Sequence, residues 1–339
     1  MVFKPLEFLP TATYSRITDL RLADPDLPSR LARGRTRRSG ITKDGRLVMV
    51  AADHPGRMTL SIREDPLRMG RRHEFLSRLL RVLACSDFDG LLGTADVVDE
   101  LFYISSLATG QPRSGFLNGK IMLGSINRGG LAGSAWELDD GPTGYDPGGI
   151  ASMGLDGAKF LLRVDLGNRD ASKTMSYCVD AIRDCNSRNL PIFVEPLPVS
   201  VREGATKLEP DPEKLIKLVG AATALSSSST RMWLKLPYTQ RFDEVAASTT
   251  LPILLLGGEA TKGVSGLLTE VEQAMKAGPN VRGVLLGRNL LYPPGEDPLP
   301  LAQAISSIVH RGANAKEAES QMRDWEGRDL TAFQNKEGT

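Results

Sequence analysis

Cysteine and histidine are both scarce in this chain, three of each in 339 residues. Cys85, Cys178 and Cys185 make neither a disulfide framework nor the paired CxxC spacing of a zinc site. All three fall in helix-like stretches, where a free cysteine is usually a small buried hydrophobe. The histidines sit after the first strand (His54), in a helix (His73) and near the end of the last helix (His310), too scattered to converge on a catalytic zinc ion. No metal or other cofactor is called for. Charge of one sign is also lacking: the formal net charge is +1, which gives no global field for nucleic acid or an anionic membrane. No run approaches the roughly 18 apolar residues of a membrane span. The N-terminus, MVFKPLEFLPTATYSR, lacks the apolar core of a secretory signal, so a cytoplasmic protein is expected. The densest basic stretch, Arg30 to Arg46, is expected to be a solvated face.

What is present is an ordinary globular composition, 41% hydrophobic and 24% charged, with 34 glycines and 21 prolines. From residue 47 onward short apolar runs alternate with amphipathic stretches, the pattern of βα units on a parallel sheet. Strands are expected at Leu47–Ala52, Gly90–Gly93, Lys120–Ser125, Gly157–Val164, Pro191–Glu195, Arg231–Leu236, Pro252–Leu256 and Gly283–Leu286. Helices are expected at Met69–Ala84, Ala171–Arg188, Pro212–Leu225 and Gly263–Ala277. Eight such strands close a (β/α)8 TIM barrel over residues 46–310. Residues 1–45 read as a helical or irregular N-terminal extension with DPDLP turn chemistry, and residues 311–339 as a polar C-terminal tail that begins as a helix and frays. The Gly-rich stretch Asn127–Gly149 is a long loop on the face where such barrels keep their chemistry. Barrels of this kind often associate into homo-oligomers.

Strand side chains alternate with period two, so parity tells which ones point into the barrel. In MWLKLPY, Lys235 shares a face with Trp233, while Met232, Leu234 and Leu236 face the helices. In AKFLLRVD, Lys159, Leu161, Arg163 and Asp165 share a face. In IFVEPL, Glu195 goes with Phe193, and the first strand ends in AADHPG, with Asp53 at its exit. A lysine among Trp, Leu and Pro is unusual. One reading is a structural pair with Glu195 or Asp53. The other is a nucleophilic amine, since burial and a neighbouring cation both favour the neutral form. Lys159 can supply the cation and Glu195, between the two lysines, can relay protons. A second feature is a phosphate cradle: the last two strands end in Gly257-Gly258 and Gly287-Arg288-Asn289, where this fold usually holds phosphate on backbone N–H groups, with Arg288 forking onto it.

The run DGAKFLL, FVEPL, MWLKLPY, LPILLLGG and GVLLGRN resembles the class I aldolases of the deoxyribose-phosphate, tagatose-bisphosphate and archaeal-type fructose-bisphosphate group, over roughly residues 45–310. It looks closest to the tagatose-bisphosphate branch. The resemblance implies Lys235 as the Schiff-base former, Glu195 as proton shuttle, Lys159 as a substrate-orienting cation and Asp53 as a polar group at the substrate's carbonyl or hydroxyls. It implies Gly257, Gly258, Gly287 and Arg288 as the phosphate site, Arg163 as a substrate ligand, and a phosphorylated sugar as the small-molecule partner. One departure is Arg163, which stands where the archaeal-type enzymes carry a tyrosine general acid. The chain also resembles a barrel branch associated with inositol breakdown, which would imply a keto-sugar acid phosphate.

Two other readings stay open at this stage. A non-catalytic sugar-phosphate sensor would keep the cradle without needing the lysines, and the same imine or enolate chemistry can serve acyl transfer or isomerisation. Asp96, Asp99 and Glu100 read as helix-dipole partners, and Asp139 and Asp140 as solvated loop carboxylates. Tyr238 either lines the pocket or packs, and Trp136 can cover the mouth.

Overall fold

The computed structural model describes residues 2–108, 115–202, 205–209, 211–257 and 263–333. Among these residues nine strands form: β1 (Leu47–Ala51), β2 (Gly90–Gly93), β3 (Ile121–Ser125), β4 (Gly157–Val164), β5 (Ile192–Arg202), β6 (Ala205–Leu208), β7 (Met232–Pro237), β8 (Ile253–Leu256) and β9 (Val281–Leu286). Their order is β4-β3-β2-β1-β9-β8-β7-β5-β6, and β4 also pairs with β5, closing the sheet. Eight of these strands, all but β6, pair in parallel around the ring. The fold is a (β/α)8 barrel. Helices such as Arg72–Leu83, Ala95–Leu107, Asp170–Ser187 and Gly263–Ala277 cover its outside. No helix among the described residues is long and apolar enough to cross a membrane.

Local sequence explains several helix starts. Three Asp-Pro pairs open helices at Pro147, Pro212 and Pro298, with the aspartate as N-cap accepting from Gly149 N, from Glu213 N and Lys214 N, and from Leu299 N respectively. The carboxylate satisfies an orphan amide, while proline at the first helical position gives up a donor that would have had no partner.

Parity divides the core in two. Leu47, Met49, Ala51, Leu92, Ile121, Leu123, Phe193, Leu254 and Leu285 pack inside the barrel with Trp233, whereas Met232, Leu234 and Leu236 join the larger core under the helices. Phe193 and Trp233 are register partners, with stacked rings 5.3 Å apart. Each fully buried side chain of this kind contributes about 1.5–3 kcal/mol. This apolar plug fills the lower barrel, so polar side chains one pleat further along the same strands emerge together at the C-terminal end. A register shift between β8 and β9 comes just before Gly283, which has φ +134° and lies so close to the Leu47 carbonyl that a Cβ would collide. Only glycine fits this bulge.

Three regions depart from the sequence reading. β5 runs past Glu195 and folds back as an antiparallel hairpin with β6, pairing Val199 with Leu208 and Val201 with Thr206. The basic stretch is only partly a solvated face. Arg35 is buried, donating to the Lys120 and Gly154 carbonyls and to Asp156, and Arg38 pairs with Asp89 at 2.7 Å. These carboxylates directly precede the strands, so the arginines tie the extension to the N-terminal end of the barrel. Finally, the C-terminal segment begins with the expected helix but packs back on the molecule where a frayed tail was expected. Helix Ala315–Gln321 starts on an Asn314–Glu317 capping box, and buried Phe333 packs edge-on against Phe8 and Phe116. The extension's helices Pro5–Phe8 and Thr11–Ala23 lie on the barrel helices Arg72–Leu83 and Ala95–Leu107.

Candidate active site

The C-terminal ends of the strands surround a cavity of about 790 Å3. Asp53, Lys159, Glu195 and Lys235 meet in it, each delivered by the inward parity of its strand or strand exit. The Glu195 carboxylate is the bridge: Lys235 Nζ lies 2.8 Å from Oε1 and Lys159 Nζ lies 2.6 Å from Oε2. Lys159 also sits 3.6 Å from Asp53 Oδ2. Asp53 in turn accepts from Ser125 Oγ at 3.1 Å and pairs closely with Arg128, whose Nε donates to the same Ser125 Oγ at 2.8 Å.

Every member of this chain is buried, so its protonation follows from its neighbours. Burial works against the charge on Glu195, but Lys159 and Lys235 outweigh it and hold the carboxyl low, at about 2. Burial likewise opposes ionisation of Asp53, yet Arg128, Lys159 and Lys235 keep it well below the usual carboxylate range. Burial pushes Lys159 down to about 8, helped by Arg128 and resisted by Glu195 and Asp53. His54 is pushed down to about 3 by burial, although Asp53 stands 3.9 Å away, so its imidazole is neutral at pH 7.

The glycine cradle lies on the opposite wall from Lys159. Gly257, Gly287 and Arg288 border the cavity, and the Gly257 carbonyl accepts from the Asn289 side chain. Gly287 faces the His54 ring so closely that any Cβ would meet it. Gly258 lies outside the described residues.

Arg163 borders the same cavity, but its Nη atoms donate to the Gly130 and Glu137 carbonyls and pair with Glu137 and Asp140. It anchors the Gly-rich loop. Asp140, expected to be solvated, is therefore buried; it accepts from Gly130 N at 2.9 Å and pairs with Arg163. Asn127 joins that loop to β4, accepting from Leu161 N and donating to Leu161 O, both at 2.7 Å. Tyr238 packs on Phe242 and donates to Gln273 rather than lining the cavity. Trp136, half-exposed on the loop, donates to Gly129 O. The other two histidines are remote: His73 contacts Leu9 O and stacks on Tyr14, and His310 lies between Asp44 and Asp89.

Sequence reasoning missed Arg128, His54, Arg57, Thr59 and the hairpin residues Val199, Thr206, Lys207 and Leu208, all of which line the cavity. A signal for some existed. Arg128 stands three residues past Ser125 at the exit of β3, as His54 and Arg57 follow Asp53 at the exit of β1. The alternating PVSV and ATKL segments on either side of Glu203-Gly204 were the mark of a hairpin.

Residues 45–309 match the Cgl0159-like family. The crystal structure of Cgl0159 from Corynebacterium glutamicum superposes with a TM-score of 0.83 at 32% identity, covering 90% of this chain and 99% of that one. An uncharacterised aldolase of Saccharolobus solfataricus is 34% identical over 171 residues, 49% of this chain and 59% of the relative, so the match spans less than two thirds of that protein. An archaeal fructose-1,6-bisphosphate aldolase, solved with its catalytic lysine bound to a carbinolamine intermediate, shares the fold with a TM-score of 0.57 at 19% identity, covering 84% of this chain and 99% of that one. The chain therefore belongs to the Cgl0159-like family.

Proposed function

We propose that this protein is a metal-independent class I aldolase that makes or breaks a C–C bond in a phosphorylated ketose or keto-sugar acid, in the cleavage direction releasing an aldehyde and dihydroxyacetone phosphate. The observation that carries the reading is the Lys235–Glu195–Lys159 bridge at the base of the cavity, with both lysines buried. A sensor has no use for two desolvated amines around one carboxylate, since each costs free energy to bury.

In this reading Lys235 passes a proton to Glu195 and its neutral amine attacks the substrate ketone. Glu195 returns that proton to the carbinolamine hydroxyl, which leaves as water. This gives a protonated imine, an electron sink, and a carboxylate ready to act as base. Glu195 then takes the proton from the hydroxyl beyond the scissile bond, directly or through water. The C–C bond breaks, its electron pair moves into the imine, and an aldehyde leaves. Protonation of the enamine and hydrolysis free the second product and restore Lys235. Lys159 and Asp53 orient substrate oxygens, Arg163 borders the reacting end, and Gly257, Gly258, Gly287 and Arg288 hold the phosphate.

A second assignment within the same class has its own support. Lys159, pushed down to about 8, is a competent nucleophile, and Glu195 would serve it equally. Borohydride trapping with dihydroxyacetone phosphate, followed by peptide mapping, separates the two. An adduct on Lys235 supports the main reading and one on Lys159 exchanges the lysines. No adduct with this ketone or a panel of phosphorylated ketoses removes the imine mechanism.

A further inference from the structure

The exits of β1 and β3 meet around one carboxylate, and the contacts there are lopsided. Ser125 Oγ donates to Asp53 Oδ2 at 3.1 Å, and Arg128 Nη2 pairs closely with the same oxygen. The guanidinium also reaches back, its Nε donating to Ser125 Oγ at 2.8 Å. Arginine, serine and aspartate thus close a ring of hydrogen bonds. Among the described residues Asp53 Oδ1 accepts no hydrogen bond; His54 Nδ1 stands 3.9 Å from it, too far for one. Asp53 borders the cavity, so one of its oxygens is held and the other is left for what enters.

This clamp is fixed to the strand that carries Lys159. Ser125 and Lys159 are register partners across β3 and β4. Just beyond, Ile126 N donates to the Lys159 carbonyl at 3.0 Å, and the Asn127 side chain brackets the Leu161 backbone. Arg128 N donates to Thr143 Oγ1 at 3.2 Å, which ties its own backbone to the Gly-rich loop. Ser125 and Arg128 are both buried. A planar guanidinium with two of its donors engaged has little freedom to turn, so its place relative to Lys159 is set by the backbone on either side.

Lys159 faces Glu195 at 2.6 Å, Asp53 at 3.6 Å, and the cations of Arg128 and Lys235. Two carboxylates therefore compete for one ammonium. Asp53 stays at the longer distance because its oxygen nearest Lys159 is already taken by Arg128 and Ser125, and because Arg128 repels an approaching cation. Without the arginine, Asp53 would be a buried carboxylate short of a counter-ion and would draw Lys159 away from Glu195. We infer that Arg128 and Ser125 are positioning residues that assign Lys159 to Glu195 and present Asp53 Oδ1 alone to the substrate. This inference rests on the aldolase reading for what the assignment serves: a proton shuttle held between two lysines, and a free oxygen for a substrate hydroxyl. Both residues act through Asp53 and Lys159 rather than on the reacting atoms.

Lysine titration tests this without any substrate. In the full chain carrying carbon-13 at lysine Cε, the Lys159 signal, assigned by its loss in Lys159→Arg, is followed by NMR as pH is raised. In wild type it should titrate at about 8. Arg128→Gln removes a cation and leaves both carboxylates, so the midpoint should rise by about one unit or more. Arg128→Lys and Ser125→Ala keep the charge and should leave the midpoint where it was. Borohydride trapping with dihydroxyacetone phosphate reads the geometry instead. The adduct should form about tenfold more slowly in Arg128→Lys, which lacks the fixed fork, and about threefold or more slowly in Ser125→Ala. An unchanged midpoint in Arg128→Gln, an equal rise in all three variants, or wild-type trapping rates in both Arg128→Lys and Ser125→Ala would overturn the inference. Should Arg128→Gln fail to fold, the other two variants decide. No adduct in wild type would remove the aldolase reading, and the titration would still show whether Arg128 governs Lys159.

Discussion

Both ends of this barrel bury networks of charge, and they are wired differently. At the N-terminal end, Asp89 accepts from Val48 N and Asp156 from Met122 N, both in addition to their arginines. Lys120 there gives its ammonium to the Cys85 and Phe88 carbonyls. These charges are bonded to backbone, so they fix chain positions. At the C-terminal end, Asp53 and Glu195 accept only from side chains among the described residues, and Arg57 Nη1, His54 Nδ1 and Thr59 Oγ1 are left open toward the cavity. Burial alone therefore does not distinguish a structural network from a reactive one. The distinction is whether the hydrogen-bond partners of the charged groups belong to backbone, which cannot let go, or to groups that can exchange a proton or a ligand.

The sharpest way to break this comparison is Lys235→Ala. Turnover should fall by more than about 10³-fold, while the melting temperature moves little because Glu195 keeps Lys159; more than a few per cent residual activity would sink the assignment. Glu195→Gln should cost about 10²–10⁴-fold in turnover, the usual range for a lost acid–base group, with the borohydride adduct slowed as well. Asp156→Ala, at the other end, should do the opposite. It strands buried Arg35 and is expected to lower stability by about 3–5 kcal/mol, read by urea unfolding, with kcat per folded molecule unchanged.

Two smaller effects depend on pH. Lys159 loses its proton near pH 8, so kcat/KM should decline as pH rises through about 8, and Lys159→Arg should move that limb upward. His310 is opposed by burial but held above its ordinary value by Asp89 and Asp44. Its folded pKa exceeds the unfolded one, so its stabilisation is complete below about pH 6.5 and is lost as pH rises through the raised value. The difference in melting temperature between wild type and His310→Gln should therefore be larger at pH 6 than at pH 9. An equal difference at both would mean that the histidine serves by packing alone.

Much of the C-terminal end of the barrel could be read from the sequence because strand parity is a local property. Knowing that LPILLL and MWLKLP are strands puts Lys235 beside Trp233 without any tertiary information, and the same holds for Glu195 and Lys159. Arg128, Arg57 and Thr59 escaped because a loop side chain's direction depends on hydrogen bonds to other loops, such as Ala132 N to Arg57 O. Arg163 was placed on the right face, but its partner Glu137 lies 26 residues earlier in a loop, and no periodicity reports such a pairing. The arginines of the N-terminal extension were misread for a related reason. A basic run looks solvated until the aspartates that precede β2 and β4 are brought to it.

The stacked pair beneath Lys235 has an optical consequence. Of the three tryptophans, Trp233 alone lies on the barrel strand that carries Lys235, two residues away and therefore about 7 Å along the chain; Trp136 is on the Gly-rich loop and Trp325 near the C-terminus. Its indole emission senses the electric field of the amine above it. Neutralising, alkylating or covering Lys235 would change that field, so the protein carries its own fluorophore for site occupancy and rapid-mixing kinetics needs no added dye.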